Sequence, residues 1–442
     1  MTKVLSENYL NLCLIINNML DINYIRENPQ IIKENIKKRN KPELIKLVDD
    51  FLKFDKEWKV EKQNNDDLRH RRNKVSEEIN NAKKQGKDAS KFIKEAKDIP
   101  QKLAESDKII SELQEKLNFC LMRIPNLMHV SVPIGKNGDD NVEVKKVGKP
   151  KKFDFELLNH TELAEKLGVA DFDQGREVSG QGFNYISGQL AMLDNALQRY
   201  GVDFITKKGF KLVIPPMLIN KETLSGAVDL SAFEEVIYKV ENENLYLIGT
   251  AEHALVSMLK NKTIKKDDLP LRFCAVTPCF RKEIGGHGVD TKGLFRMHQF
   301  NKVEQVVYTT PEDSFHMLEE MQRITEEFFE SLEIPFRVIE ICSGDLGGKF
   351  AKQYDIEAWF PRQNTYKEVT SAGNCTDYQA RRLNISYQTS EGKKVVHILN
   401  NTMVATSRAM VAILENYQNK DGSVTIPKVL QKYCGFKKIE KK

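Results

Sequence analysis

Residues 280 to 307 read FRKEIGGHGVDTKGLFRMHQFNKVEQVV, a stretch that puts charge where a buried strand should carry apolar side chains. On an extended strand successive side chains alternate between faces. Arg296, His298, Phe300, Lys302 and Glu304 therefore share one face, and Phe295, Met297 and Val303 take the other. A solvated sheet face would account for the ionisable groups. The single ring of Phe300 among them argues instead for stacking on a flat ligand. Just upstream, LRFCAVTPCFRKE (271–283) reads as a second strand, and IGGHGVDTKG between the two reads as a long Gly-rich hairpin loop. Antiparallel pairing would bring Arg281 and Glu283 to the charged face of the second strand.

The rest of the chain sets the context for that hairpin. With 442 residues there is room for two or three domains and a large core. Lys plus Arg number 68 against 63 acids, a surplus of five. That is too small to specify a polyanionic partner, so the distribution of charge must decide. The seven cysteines are scattered, with no CxxC pair and no accompanying His cluster. This pattern favours reduced thiols in the cytoplasm over a zinc ribbon. Cys274 and Cys279, five apart on one strand, would face opposite sides and read as buried thiols. No apolar run approaches the ~18 residues of a membrane span. The opening MTKVLSENYLNLCLIINN is a poor targeting peptide, so residues 1–18 read as an extension with no assigned role.

Apolar residues recur at helical spacing from about 42 to 81 and again from 90 to 122, separated by KKQGKDAS. Two helices of about 50 Å each, folded back on one another, would make a protruding arm. Its tip is basic: from Arg69 to Lys97 there are ten Lys and Arg against four acids. A solvated coiled-coil face would look similar. A cationic surplus gathered at the end of a lever also suits gripping a phosphate backbone. Residues 19–129 thus form an arm domain and 130–155 a linker rich in Gly, Pro and charge. Beyond it, strand-like runs (LVIPPMLI, NLYLIGT, RFCAVTPCF, FRVIEIC, YDIEAWF, VVHILNNTM) and helices over 311–332 and 402–417 follow without a regular βαβ beat. Residues 156–442 therefore read as an α+β domain on an antiparallel sheet flanked by helices.

GDLGGKF (344–350) has the look of a phosphate loop. Its spacing is wrong, however, and Phe350 stands where a Ser or Thr would hold magnesium. Three other segments carry a specific resemblance: GFKLVIPPMLIN (209–220), the FRKE to FRMHQFNKVEQ hairpin, and KEVTSAGNCTDYQARRLNI (367–385) with LNNTMVATSRAMVAILENYQ (399–418). In this order, behind a basic helical arm and with TAEH at 250–253, they resemble motifs one, two and three of the seryl-tRNA synthetases. These are class II aminoacyl-tRNA synthetases, and the resemblance spans residues 19 to 434.

The resemblance implies ATP-dependent activation of L-serine and its transfer to the terminal ribose of tRNA-Ser, with tRNA-Sec admitted as a second substrate. It also implies roles for named residues. Arg281 would hold the serine carboxylate and α-phosphate in a forked geometry. Lys282, Glu283 and Phe300 would take the adenine end, and Arg408 the γ-phosphate. Glu368, Val369, Thr370 and Ser371 would complete the ATP site, with Glu368 and Ser371 as Mg2+ ligands and no zinc. Thr250, Ala251, Glu252, Glu304, Asn400 and Thr402 would surround serine. Arg69, Arg71, Arg72, Lys74, Lys83 and Lys84 would meet the tRNA, held by one subunit of a homodimer and fed to the other. A serine-activating ligase for a carrier protein would lack the arm, and an inactive RNA-binding paralogue would have lost these polar positions. His287 and His298 read as a loop and a core histidine rather than catalytic bases.

Overall fold

The computed structural model describes residues 22–228, 235–283 and 293–441. The extension 1–18, His287 and most of the Gly-rich loop lie outside them. Two compact units emerge, one from Leu20 to Pro125 and the other from Asn126 to Lys442.

In the first unit, α1 (Ile22–Glu27) and α2 (Pro29–Lys38) precede a long hairpin of α3 (Ile45–Lys84) and α4 (Ser90–Leu121). The two long helices have 40 and 32 residues, or roughly 60 and 48 Å at 1.5 Å per residue. Gly86, at φ +67°, makes the reversal that an L side chain resists. Asp88 then accepts from Ser90 N at 2.9 Å to start α4. Two antiparallel helices share only one seam, where Val75, Ile99 and Leu103 form a buried apolar cluster and Ala82 and Ala89 are buried nearer the turn. Val48, Phe51, Leu113 and Leu117 are buried farther from the turn, each worth ~1.5–3 kcal/mol, and polar contacts add to them. Fully buried Asn65 donates to Ser106 Oγ and Asp107 Oδ1, both at 3.0 Å. Arg71 forks onto Glu95 at 2.6 and 2.7 Å.

The second unit is built on one eight-stranded sheet. Its strands are β1 (Val142–Val147), β2 (Lys211–Leu212), β3 (Leu271–Phe280), β4 (Gln299–Thr309), β5 (Phe336–Glu340), β6 (Lys352–Phe360), β7 (Thr365–Asn374) and β8 (His397–Ala405). The spatial order is β1-β5-β6-β7-β8-β4-β3-β2. Every pairing is antiparallel except β2 with β3. Helices α5 (Gly188–Lys207), α6 (Ala251–Leu255), α7 (Ser314–Ser331) and α8 (Thr406–Asn416) accompany it. Leu193 and Leu197 of α5, Leu318 and Phe328 of α7 and Met410 and Ile413 of α8 share one core with Val303 and Val307 of β4. Val306 and Tyr308, the alternate residues of the same strand, enter a second core with Ile248, Leu255 and Ile398.

The hairpin pairs in the register that puts Ala275 opposite Glu304 and Thr277 opposite Lys302. By alternation Lys302 and Glu304 share the face of Val306 and Tyr308. One face of β4 is thus apolar at its C-terminal end and ionic at its N-terminal end.

Four expectations need correction. β4 starts only at Gln299, so Arg296 and His298 precede the ladder. Residues 402–405, expected as helix, extend β8, because Thr402, Val404 and Ala405 stay paired with Glu304, Val303 and Lys302 around a bulge. LVIPPMLI is split into Lys211–Leu212 and Leu218–Asn220 at Pro215 and Pro216, which have no N–H to give a ladder. The stretch 130–155, read as linker, contains β1, whose exposed charges suit a sheet edge.

Candidate active site

A solvent-open cleft of about 490 Å³ lies over the ends of β3, β4, β7 and β8, and Arg281, Phe300, Lys302, Glu368, Thr402 and Arg408 are among its walls. Arg281 follows the last residue of β3. Its backbone N–H donates to His298 O at 2.9 Å and its Nε to Gly249 O at 3.0 Å, with the guanidinium 5.4 Å from the Phe300 ring. Across the cleft, Arg408 stands in the first turn of α8. It pairs with Glu368 Oε1 at 2.9 Å, donates to Glu368 O at 3.0 Å and lies 5.1 Å from the Phe295 ring. Two guanidiniums therefore face one opening, an arrangement whose chemistry suits an anionic ligand.

The remaining nucleotide positions divide. Glu283 lines the cleft at φ +46°, a backbone state uncommon for a residue with a Cβ, and its carboxylate accepts from Arg296 Nε at 2.7 Å. Lys282 is not among the lining residues; its ammonium lies 5.9 Å from the Tyr238 ring. Val369 and Thr370 touch the cleft but are almost wholly buried, so backbone is what they offer. Ser371 is opposite Asp355 in the β6–β7 register, and Gln353 Nε2 bridges them, 3.0 Å from Ser371 Oγ and 3.2 Å from Asp355 Oδ1. Asp355 is buried, and burial together with the charge of Glu368 pushes its carboxyl up to about 8. The Asp355 and Glu368 carboxylates and the Ser371 hydroxyl, with only the Glu368 carboxylate paired to a cation, Arg408, form an oxygen donor set that fits a hard divalent cation.

The positions expected around serine come together more tightly. Thr250 begins α6, accepting from Glu252 N, and donates from Oγ1 to Glu304 Oε2, each at 3.2 Å. Glu304, 1% exposed, pairs with Lys302, whose Nζ is also 3.4 Å from Thr402 Oγ1. Burial raises the Glu304 pKa and Lys302 opposes the rise. Glu252 also sits in a dry setting, which alone would raise its pKa. Lys349, beside it, and other neighbouring cations instead hold it down to about 2. Glu252 Oε1 accepts from Lys349 Nζ and from Gln379 Nε2, the latter at 2.9 Å. Ala251 is fully buried, and Asn400 donates to Cys375 Sγ at 3.5 Å. Asn401, one residue on, faces the opposite way and donates to Met321 O and Thr325 Oγ1 on α7.

Sequence reasoning missed Lys349, Gln379 and Asp355. The only signals were a lysine in a rejected phosphate loop and an acid in the strand YDIEAWF. Lys302 is on the charged face that alternation predicts, but nothing in the sequence gives it a role. His298 offers no catalytic geometry: its ring stacks on Phe183 at 4.9 Å and its Nδ1 is 2.6 Å from Tyr238 Oη.

On the arm, Arg71 is committed to Glu95 and Glu78, and Arg69 to Asn65 and Asp107. Arg72, Lys74, Lys83 and Lys84 are exposed.

Comparison with known proteins agrees with this division of the chain. Residues 238–417 match the tRNA synthetase class II core domain (G, H, P, S and T), and residues 19–128 the seryl-tRNA synthetase N-terminal domain. The serine--tRNA ligase of Methanoregula boonei is 49% identical over 418 residues, covering 94% of this chain and 98% of that protein. The chain belongs to the seryl-tRNA synthetase family. Among solved members, the seryl-tRNA synthetase of Pyrococcus horikoshii, complexed with ATP, superposes with a TM-score of 0.88 at 45% identity, over 96% of this chain and 99% of that one. The cytoplasmic serine-tRNA ligase of Naegleria fowleri, in complex with AMP, gives 0.83 at 35% identity, over 96% and 100%.

Proposed function

We propose that the chain is a serine--tRNA ligase that binds ATP in the cleft and L-serine beside it. The observation that carries this is the junction at Lys302 and Thr402. There the cationic cleft meets the buried Thr250–Glu304 pair, so a small hydroxylated amino acid and a triphosphate can be held in contact. A serine carboxylate oxygen attacks the α-phosphorus, the bond to the bridging β-phosphate oxygen breaks, and pyrophosphate leaves with that electron pair. Arg281 binds the carboxylate and α-phosphate as their negative charges approach, and Arg408 holds the far end of the polyphosphate. Phe300 stacks on the base. In the second step a terminal ribose hydroxyl of the tRNA attacks the carbonyl carbon and AMP departs.

Glu304 accepts from the serine hydroxyl and Thr250, bonded to the same carboxylate, orients it, while Glu252 takes the ammonium. A site that hydrogen-bonds a hydroxyl rejects the analogue lacking it by ~10⁴–10⁵, which disposes of alanine. Glu368 and Ser371, with Asp355 behind them, would hold Mg2+, which supplies charge neutralisation to the polyphosphate. The exposed arm cations suit the backbone of tRNA-Ser, and tRNA-Sec belongs to the same reading. A homodimer fits Leu212, Ile214, Met217 and Leu218, which expose 41–90% of their surface around the split strand. Six buried free thiols among the described residues suit the cytoplasm, and no described helix is long and apolar enough to cross a membrane.

Serine-dependent exchange of labelled pyrophosphate into ATP, followed by tRNA charging, tests the reading. Exchange driven by serine and not alanine supports it; no exchange at saturating serine and ATP overturns it.

A further inference from the structure

Two lysines enter the amino-acid pocket, and they differ in their freedom to leave it. The side chains of Lys302 and Glu304 are 8% and 1% exposed, so this pair is enclosed. The Lys349 side chain is 20% exposed and reaches Glu252, itself 8% exposed, from the rim. Its backbone is tied down, since Asn126 Nδ2 donates to Lys349 O at 2.9 Å and Asn126 N to Gly348 O at 2.8 Å. Its ammonium lies 4.7 Å from the Phe350 ring. What can move is the flexible four-carbon stem and its point charge. Glu252 Oε1 is already shared between Lys349 and Gln379, in the position where the substrate ammonium would need an acceptor.

We infer that Lys349 is a resident counter-ion of the amino-acid pocket, which competes with the ammonium of serine for the Glu252 carboxylate and so sets the serine affinity. The inference rests on the proposed role of Glu252 as the ammonium acceptor. Burial alone would push Glu252 toward its protonated form; Lys349 pairs the carboxylate and keeps it ionised, and Lys302 acts in the same direction. When serine arrives, its ammonium takes over part of that carboxylate and the lysine withdraws along the rim. Part of the intrinsic affinity for any ammonium is thereby offset, and ligands that also satisfy Thr250 and Glu304 through a hydroxyl are favoured. This makes Lys349 a positioning and specificity-determining residue that touches neither ATP nor the reacting atoms.

The test uses the full-length enzyme in pyrophosphate exchange. Lys349→Met keeps the stem and removes the charge; Lys349→Arg keeps the charge. Lys349→Gln replaces Lys349→Met if the latter does not fold. The neutral variant is expected to lower the serine KM by at least ~fivefold, the lower end of a typical coupling between two ligands of one site, with the ATP KM unchanged. Lys349→Arg should stay near the wild-type value. Inhibition supplies a readout that a merely structural role would not move. Ethanolamine, which has the ammonium, should bind the neutral variant more tightly. 3-Hydroxypropionate, which has the carboxylate and no ammonium, should not. An unchanged or raised serine KM in the neutral variant, or equal shifts for both inhibitors, would overturn the inference. Wild-type protein that shows no serine-dependent exchange would instead sink the functional reading itself.

Discussion

Glu304 offers the sharpest perturbation of the amino-acid pocket, provided the substitution is chosen with its neighbour in mind. Removing the side chain with Glu304→Ala strands the enclosed ammonium of Lys302, at a cost of ~3–5 kcal/mol for an uncompensated buried charge. Loss of exchange in that variant is expected, yet it mixes binding with folding. Glu304→Gln keeps the volume and leaves an amide oxygen for Thr250 Oγ1, 3.2 Å away in the native pair. What it loses is the charge on the acceptor, while its amide oxygen still accepts from the Lys302 ammonium, whose lost counter-charge is read in the thermal unfolding. A hydrogen bond to a charged group contributes ~1.5–3 kcal/mol, so kcat/KM for serine should fall roughly 10- to 150-fold. Pyrophosphate exchange across a serine series gives that ratio, thermal unfolding verifies the fold, and the ATP KM serves as internal control. Exchange within about twofold of wild type, or a loss shared equally by the ATP KM, would refute the placement of serine against Glu304.

Arg408→Ala should raise the ATP KM and leave the serine KM nearly unmoved, since Arg408 meets Glu368 and the cleft rather than the Thr250 pocket; steady-state exchange with each substrate varied separates the two. Replacing Arg72, Lys74, Lys83 and Lys84 together by alanine should leave exchange intact and weaken tRNA binding. The slope of log affinity against log salt should shallow by ~0.7–0.9 per lost phosphate contact. His397 is buried and held neutral, its pKa brought down to about 3 by burial. Because the folded value lies below the unfolded ~6.5, its contribution is complete above pH ~6.5 and is lost as pH falls towards 3. Between pH 6.5 and 5 that amounts to ~2 kcal/mol. Denaturant unfolding at pH 7.5 and 5 should show a smaller acid loss for His397→Asn, which can still bond Ser314 Oγ, 2.8 Å from Nδ1 in the native chain.

The hairpin at the centre of the site was legible because its charges violate the alternation expected of a packed strand, and a violated pattern is itself a signal. The arm was legible through its helical spacing and its Gly86 turn. Helix 402–417 was misplaced because NNTMVA satisfies either period, and only the pairing of Thr402 and Ala405 with β4 decides for strand. β1 was hidden because an edge strand carries charge as a linker does. Lys349 and Asp355 left only faint marks in the sequence, a lysine in a rejected phosphate loop and an acid in a strand. Glu252 lies 97 residues from Lys349, and Glu368 lies on the neighbouring strand to Asp355; what makes each a site residue is burial beside an acid, which exists only once the sheet has formed. Arg71 illustrates the converse: composition marks it as a phosphate ligand, while the fold commits it to Glu95.

The central claim is that the cleft between Arg281 and Arg408 holds serine joined to AMP. The most direct measurement is a crystal structure with a non-hydrolysable seryl-adenylate analogue. The expected density places the base on Phe300, the phosphate mimic at Arg281 and the seryl hydroxyl within hydrogen-bond reach of Glu304. An analogue bound outside that cleft, or bound there with its seryl group turned away from Thr250 and Glu304, would contradict the account.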